Sequence, residues 1–297
     1  MQTYHPKPTT RILRLITLCL FTAAVVPARL LPAAPAEGPA ARLGVSVPFS
    51  ESVPLHCTSN DRDYDLYIRY PDGYQEETNR KRLYPVIYIC AAQWDFFLIS
   101  GIYPTLVFDQ KIEESILVGM AWGGKTSNYW MYRGIDYTPV PVAERYQDGG
   151  GAAKFLTALK TEIVPFVDGR VRADTGRRVL TGSSLGGLFV LYTLLNEPDL
   201  FSGYIAPTPA LGYADNWLPR MEAASAGRRK AARGRLFLTA GRLESDAWRE
   251  AVVNFQRALE SRGVPGLTIK TVIIEGEGHS GQKAEAYNRG LRFVFEK

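Results

Sequence analysis

From Tyr64 to the C-terminus, short apolar runs alternate with apolar residues spaced three and four apart. Runs at 84–90, 115–120, 179–181, 203–206, 236–239 and 271–274 carry little polar alternation, which predicts strands buried on both faces. Residues 63–70 alternate through Tyr64, Leu66 and Ile68 and stop at Pro71-Asp-Gly73, a strand running into a turn. The looser alternation of Val45, Val47, Phe49 and Val53 predicts an edge strand. Phe155, Leu156, Leu159, Ile163 and Phe166 share one helical face, with Pro165 expected near that helix's last turn. Trp248, Val252, Phe255 and Leu259 share another, and a last helix is expected from about Gln282 towards Phe295. Strand and helix in such regular turn predict a single α/β domain over 43–297, a mainly parallel sheet with helices on both faces.

Three stretches, 91–105, 121–151 and 207–234, lack periodicity, and each follows a predicted strand. Loops at the carboxyl ends of strands build the crevice of an open α/β sheet, so these three are expected to form the substrate pocket. Their aromatic residues Trp94, Trp122, Tyr137 and Trp217, with Arg133, are the candidate substrate contacts.

Between the run at 179–181 and the helical spacing of Leu188, Leu191 and Leu195 lies Gly182-Ser-Ser-Leu-Gly186. This is G-x-S-x-G in a strand-turn-helix setting, where small flanking residues hold a serine hydroxyl out at the sheet edge and a helix begins beside it. Ser184 is the candidate nucleophile and the Leu185 N–H a candidate oxyanion donor. The bland alternative is a glycine-rich turn whose Ser183 and Ser184 cap the helix.

An unassisted serine hydroxyl needs a base. The chain has three histidines. His5 lies near the N-terminus and His56 far from any predicted strand end, leaving His279 in the glycine-rich loop after the last strand. The third member should be a carboxylate after the preceding strand, and Glu244 stands there with Asp246 two residues on. The order Ser184, Glu244, His279 is the chain order of α/β-hydrolases. The second oxyanion donor is expected after the run at 84–90, at the N–H of Gln93 or of Ala92.

Net charge is +5, but Lys and Arg are scattered, and the densest run, 228–235, reads as a solvated edge. Nucleic acid is therefore not an expected partner, whereas a basic surface suits an anionic substrate. One histidine at the site, without HExxH or paired CxxC, gives no catalytic metal, and no glycine-rich phosphate loop calls for a cofactor. Residues 1–36 read as an export signal and linker: Lys7, Arg11 and Arg14 precede an apolar run at 15–26 and a Pro/Ala-rich stretch. The run is short for a bilayer span, so a secreted or periplasmic protein without stable membrane insertion is expected, cleaved after Ala28 or Ala34. Of the remaining cysteines, Cys57 and Cys90, the second reads as a free core thiol.

Several segments carry a family likeness: Tyr84-Pro-Val-Ile-Tyr88, Asp136-Tyr-Thr-Pro139, the glycine run from Gly149 to Phe155, Gly182-Ser-Ser-Leu-Gly-Gly-Leu-Phe189 and Pro198-Asp-Leu-Phe201. On these the chain resembles the esterase D-like family of α/β-hydrolases, which includes siderophore, feruloyl and acetyl-xylan esterases. The resemblance covers nearly everything from Ser46 onward and implies Ser184 as nucleophile and His279 as base. Two departures stand out. Members commonly carry Asp-Gly where this chain has Ala91-Ala92, and Ser-Pro-Ser where it has Thr208-Pro-Ala210. The implied activity is cofactor-free ester hydrolysis of catecholate-siderophore-like or aryl esters. A carbohydrate esterase and a non-catalytic ligand-binding homologue are the alternatives.

Overall fold

The computed structural model describes residues 46–124, 128–224, 234–262 and 264–296. The predicted export segment and most of the basic run at 228–235 lie outside them. Strands β1 (Ser50–Cys57), β2 (Arg62–Arg69), β3 (Tyr84–Cys90), β4 (Ile116–Trp122), β5 (Ala173–Thr181), β6 (Gly203–Pro207), β7 (Gly234–Gly241) and β8 (Leu267–Ile274) form one sheet in the order β1-β2-β4-β3-β5-β6-β7-β8. The first two make an antiparallel hairpin, β2 meets β4 antiparallel, and β3 to β8 are parallel. The helices are α1 (Ala92–Phe108), α2 (Tyr129–Asp136), α3 (Ala152–Ala158), α4 (Val164–Arg170), α5 (Leu185–Asn196), α6 (Tyr213–Ala224), α7 (Asp246–Ser261) and α8 (Lys283–Val294). Among the described residues, no helix is long and apolar enough to cross a membrane.

The unbroken apolar run of β3 is explained by its two faces. Val86, Tyr88 and Cys90 join the core under α3, α4, α5 and α7, while Ile87 and Ile89 join the one under α1 and α8. Every residue of β3 and of β4 is buried. Each Leu, Ile or Phe taken fully from water in this way stabilises the fold by roughly 1.5–3 kcal/mol. Cys57 and Cys90 are both buried free thiols, and burial pushes Cys57 up to about 12.

Three expectations are corrected. The stretch 91–105 is not a loop; it forms most of α1, whose residues are apolar on nearly every side, so no 3.6-residue contrast marks it as a helix. Within 207–234, α6 forms but is broken at Ala214, Asp215 and Asn216, all left-handed. Pro165 does not close its helix either. It sits at the start of α4, directly after helical Leu159–Ile163, and the chain stays helical from Ala152 to Arg170.

Leu159–Ile163, between α3 and α4, is a π-helical stretch. It offers Glu162 to the hairpin turn, whose Thr58 and Ser59 N–H groups donate to the carboxylate at 2.7 and 2.9 Å. Partial burial alone would raise the Glu162 carboxyl, but the bonds from Ser59 and Thr58 outweigh it and hold the group down to about 2 from an ordinary 4.5. A folded value below the unfolded one means stability present above 4.5 and lost as pH falls towards 2. Glu162→Gln should therefore lower stability at neutral pH and flatten its fall across that window, as read by urea unfolding at stepped pH. Parallel pH profiles for variant and wild type would contradict this linkage.

Candidate active site

The turn between β5 and α5 holds Ser184 at φ 59° and ψ −116°, a strained conformation for any residue with a side chain. Hydrogen bonds over-determine it. The Ser184 N–H donates to the Pro207 carbonyl at 3.1 Å, and its own carbonyl accepts from the Ala210 N–H at 3.0 Å. The hydroxyl makes no capping bond to α5, so the reading of Ser184 as a simple helix cap does not fit. A Cβ on Gly182 would lie 2.8 Å from the Cys90 Cβ and 3.0 Å from the Gly186 backbone, whereas one on Gly186 would meet nothing nearer than 3.5 Å.

His279 follows β8 and approaches Glu244, which follows β7, with Nδ1 and Oε1 2.6 Å apart. A carboxylate can only accept, which assigns the proton to Nδ1 and leaves Nε2 as the basic nitrogen. The Glu244 side chain is 5% exposed and collects three further donors. The Gly241 N–H lies 2.7 Å and the Gln282 Nε2 3.3 Å from Oε2, and the Thr208 Oγ1 sits 2.6 and 2.7 Å from the two oxygens. Burial alone would raise this carboxyl, but the hydrogen bonds from His279, Thr208 and Gly241 outweigh it and hold Glu244 below its ordinary value, ionised. The Trp248 ring stands edge-on to the imidazole at 5.0 Å. Asp246, the other acid the sequence left open, is largely exposed and pairs with Arg249, and the cap of α7 is Ser245.

At the end of β3, Ala91 is left-handed (φ 53°, ψ 49°) and its N–H donates to the Tyr137 hydroxyl at 2.7 Å. The first N–H groups of a helix have no intrahelical acceptor; here they belong to Ala92 and Gln93 at the start of α1, and to Leu185 at the start of α5. The Gln93 side chain turns to the Trp122 carbonyl, 3.2 Å away.

A cavity of about 870 Å³ opens here, lined by both Ser184 and His279. Of the five candidate substrate contacts, Trp94 and Arg133 line it and three do not. Trp122 and Tyr137 lie beneath it, 2% and 1% exposed, because their polar tips are spent internally: the Trp122 indole donates to Asp136 at 2.7 Å and Tyr137 holds Ala91. Trp217 packs against Tyr192. In their place the walls carry Tyr146, Tyr213, Trp248, Arg145 and Lys283. Trp248 was hidden because it opens the apolar stripe of α7 and reads as core. Trp94 and Trp130 form a shelf, ring centres 5.1 Å apart, with Trp130 66% exposed. Arg133 donates to the Ser183 carbonyl at 3.2 Å, and Lys283 pairs with buried Asp95 at 2.8 Å.

The family model described as "Putative esterase" matches residues 58–282. The chain belongs to this family of carboxylic ester hydrolases. Ferri-bacillibactin esterase BesA of Bacillus subtilis (strain 168) is 24% identical over 275 residues, covering 84% of this chain and 90% of that protein. Apo-salmochelin esterase of Escherichia coli O6:H1 is 35% identical over 88 residues, 27% of each chain. The BES protein of Bacillus cereus superposes with a TM-score of 0.75 at 22% identity, covering 88% of this chain and all of that one. An IroE-like serine hydrolase of Shewanella oneidensis gives 0.74 at 22% identity over 83% and 80% of the two chains. These likenesses show the α/β-hydrolase fold.

Within the esterase motif, the two glycines are not equivalent. Gly182→Ala should destabilise by roughly 1–3 kcal/mol, the usual cost of overpacking. Gly186→Ala, with room for its methyl group, should stay within about 1 kcal/mol of wild type. Thermal melts of both variants check this, and equal losses would contradict the crowding argument.

Proposed function

We propose that this esterase works through Ser184, His279 and Glu244 with a covalent acyl-enzyme. The His279–Glu244 hydrogen bond of 2.6 Å, in a cavity that Ser184 also lines, is the observation that carries this reading. Ser184 Oγ attacks the ester carbonyl carbon while its proton passes to His279 Nε2. Glu244 keeps the other proton on Nδ1 and stabilises the imidazolium. The oxyanion is received by the Leu185 N–H and a first-turn N–H of α1, from Gln93 or Ala92; one such donor is worth roughly 10²-fold to 10³-fold in rate. His279 returns the proton to the leaving alcohol and the acyl group stays on Ser184; water, deprotonated by His279, then attacks the acyl carbon, the bond to Ser184 Oγ breaks, and His279 gives the proton back to Oγ as the acid leaves.

The proposed substrate is a catecholate or other aryl-linked ester carrying negative charge, of the siderophore trilactone type. The exposed Trp94 and Trp130 shelf offers stacking faces, and Arg133 and Arg145 put cations on the wall, where Lys283 is offset by its partner Asp95. Relatives named as siderophore esterases support a siderophore ester as the substrate class. The export segment would place the reaction in the periplasm or outside the cell.

The test is mass-spectrometric detection of products from a catecholate trilactone, with and without iron, beside feruloylated and acetylated xylan fragments. The trilactone should be opened and Ser184→Ala should lose at least roughly 10⁴-fold in kcat. Cleavage of the xylan esters alone would overturn the substrate, and turnover surviving in Ser184→Ala would overturn the mechanism.

A further inference from the structure

Thr208, the residue that follows β6, has a backbone that its own chemistry disfavours. Its φ is 41°, although it is β-branched and precedes Pro209, and both features push a residue towards extended backbone. It is fully buried, and its N–H is held by the Thr239 carbonyl of β7 at 2.8 Å. Strain of this kind persists only where surrounding bonds fix it, and it gathers at functional sites.

The strained backbone brings one hydroxyl to three partners. Oγ1 lies 2.6 and 2.7 Å from the two Glu244 oxygens and 3.3 Å from His279 Nδ1. A hydroxyl has a single hydrogen, so it goes to the carboxylate, and the Oγ1 lone pairs are left facing the imidazole N–H. The terminal torsion of a glutamate is soft. A donor straddling both oxygens fixes that torsion and so fixes the direction in which Oε1 meets Nδ1. The other non-histidine donors, Gly241 and Gln282, come from the ends of β7 and of the β8 loop; Thr208 ties in the β6 loop, whose Ala210 N–H holds the Ser184 carbonyl.

We infer that Thr208 is a positioning residue for the ester hydrolysis: its hydroxyl locks Glu244, and through Glu244 the imidazole of His279, in register with the Ser184 turn. The inference rests on the serine-esterase reading above. It predicts that the hydroxyl, not the shape of the side chain, sets the rate.

Thr208→Val keeps the branched shape and removes the hydroxyl; Thr208→Ser keeps the hydroxyl and removes the branch. With any ester that the wild type turns over, the Val variant should lose roughly 10-fold to 100-fold in kcat, the scale of one hydrogen bond to a charged group. Its KM should stay within about twofold, and the Ser variant should recover most of the rate. Should the Val variant fail to fold, Thr208→Ala tests the same loss, with near-ultraviolet circular dichroism confirming native packing. A hydroxyl-free variant that folds and keeps its kcat within about twofold of wild type overturns the positioning role, as does a Ser variant as slow as the Val variant. Ser184→Ala, run alongside, separates the two claims: equal rates for it and the wild type would defeat the serine-esterase reading itself.

Discussion

Four hydrogen-bond donors converge on the buried carboxylate of Glu244, and the arrangement of the whole site depends on that convergence. They come from the β6 loop (Thr208), the end of β7 (Gly241), the β8 loop (His279) and the residue before α8 (Gln282). Gln282 is itself held through Thr239 at 2.6 Å. Taking an ion out of water is costly unless its lone pairs are satisfied. Here they are, and the same bonds that keep the group ionised fix the loops of three neighbouring strands to one another.

A second constraint is backbone strain at strand ends. Ala91 after β3, Ser184 after β5 and Thr208 after β6 all have positive φ without being glycine. Each is held by a bond to a neighbouring element: Ala91 to Tyr137, Ser184 to Pro207, Thr208 to Thr239. The rigid parallel sheet supplies the anchoring that such conformations need. The family-like segments around Asp136 and Gly149 act from below. Asp136 gathers Tyr64 and Trp122, and the Thr138 hydroxyl accepts the Gly150 N–H at 2.9 Å, so that Tyr137 reaches the Ala91 loop.

Much of this was legible in the chain itself. Strands β3, β4 and β6 stood out because burial on both faces leaves no polar alternation, whereas the run at 271–274 lies in the edge strand β8 and, against expectation, is only half-buried up to Ile274. Ser184 stood out through its G-x-S-x-G setting, His279 as one of only three histidines and the one placed after a strand, and Glu244 as the carboxylate just past the preceding strand. What escaped was set by tertiary context. The helix α1 is apolar nearly all round and so carries no periodic mark, and Trp122 and Tyr137 read as pocket aromatics because nothing local tells that their polar tips are spent inside. Thr208 was visible as a departure from the Ser-Pro-Ser likeness, but its role rests on a backbone angle that no composition or spacing reveals.

An activated Ser184 is tested most directly by adduct mapping after brief exposure to a fluorophosphonate. One adduct per chain is predicted, on Ser184 and on no other residue, forming far more slowly in His279→Ala. Absence of an adduct on folded protein, or an adduct on another residue such as Ser183, would contradict it.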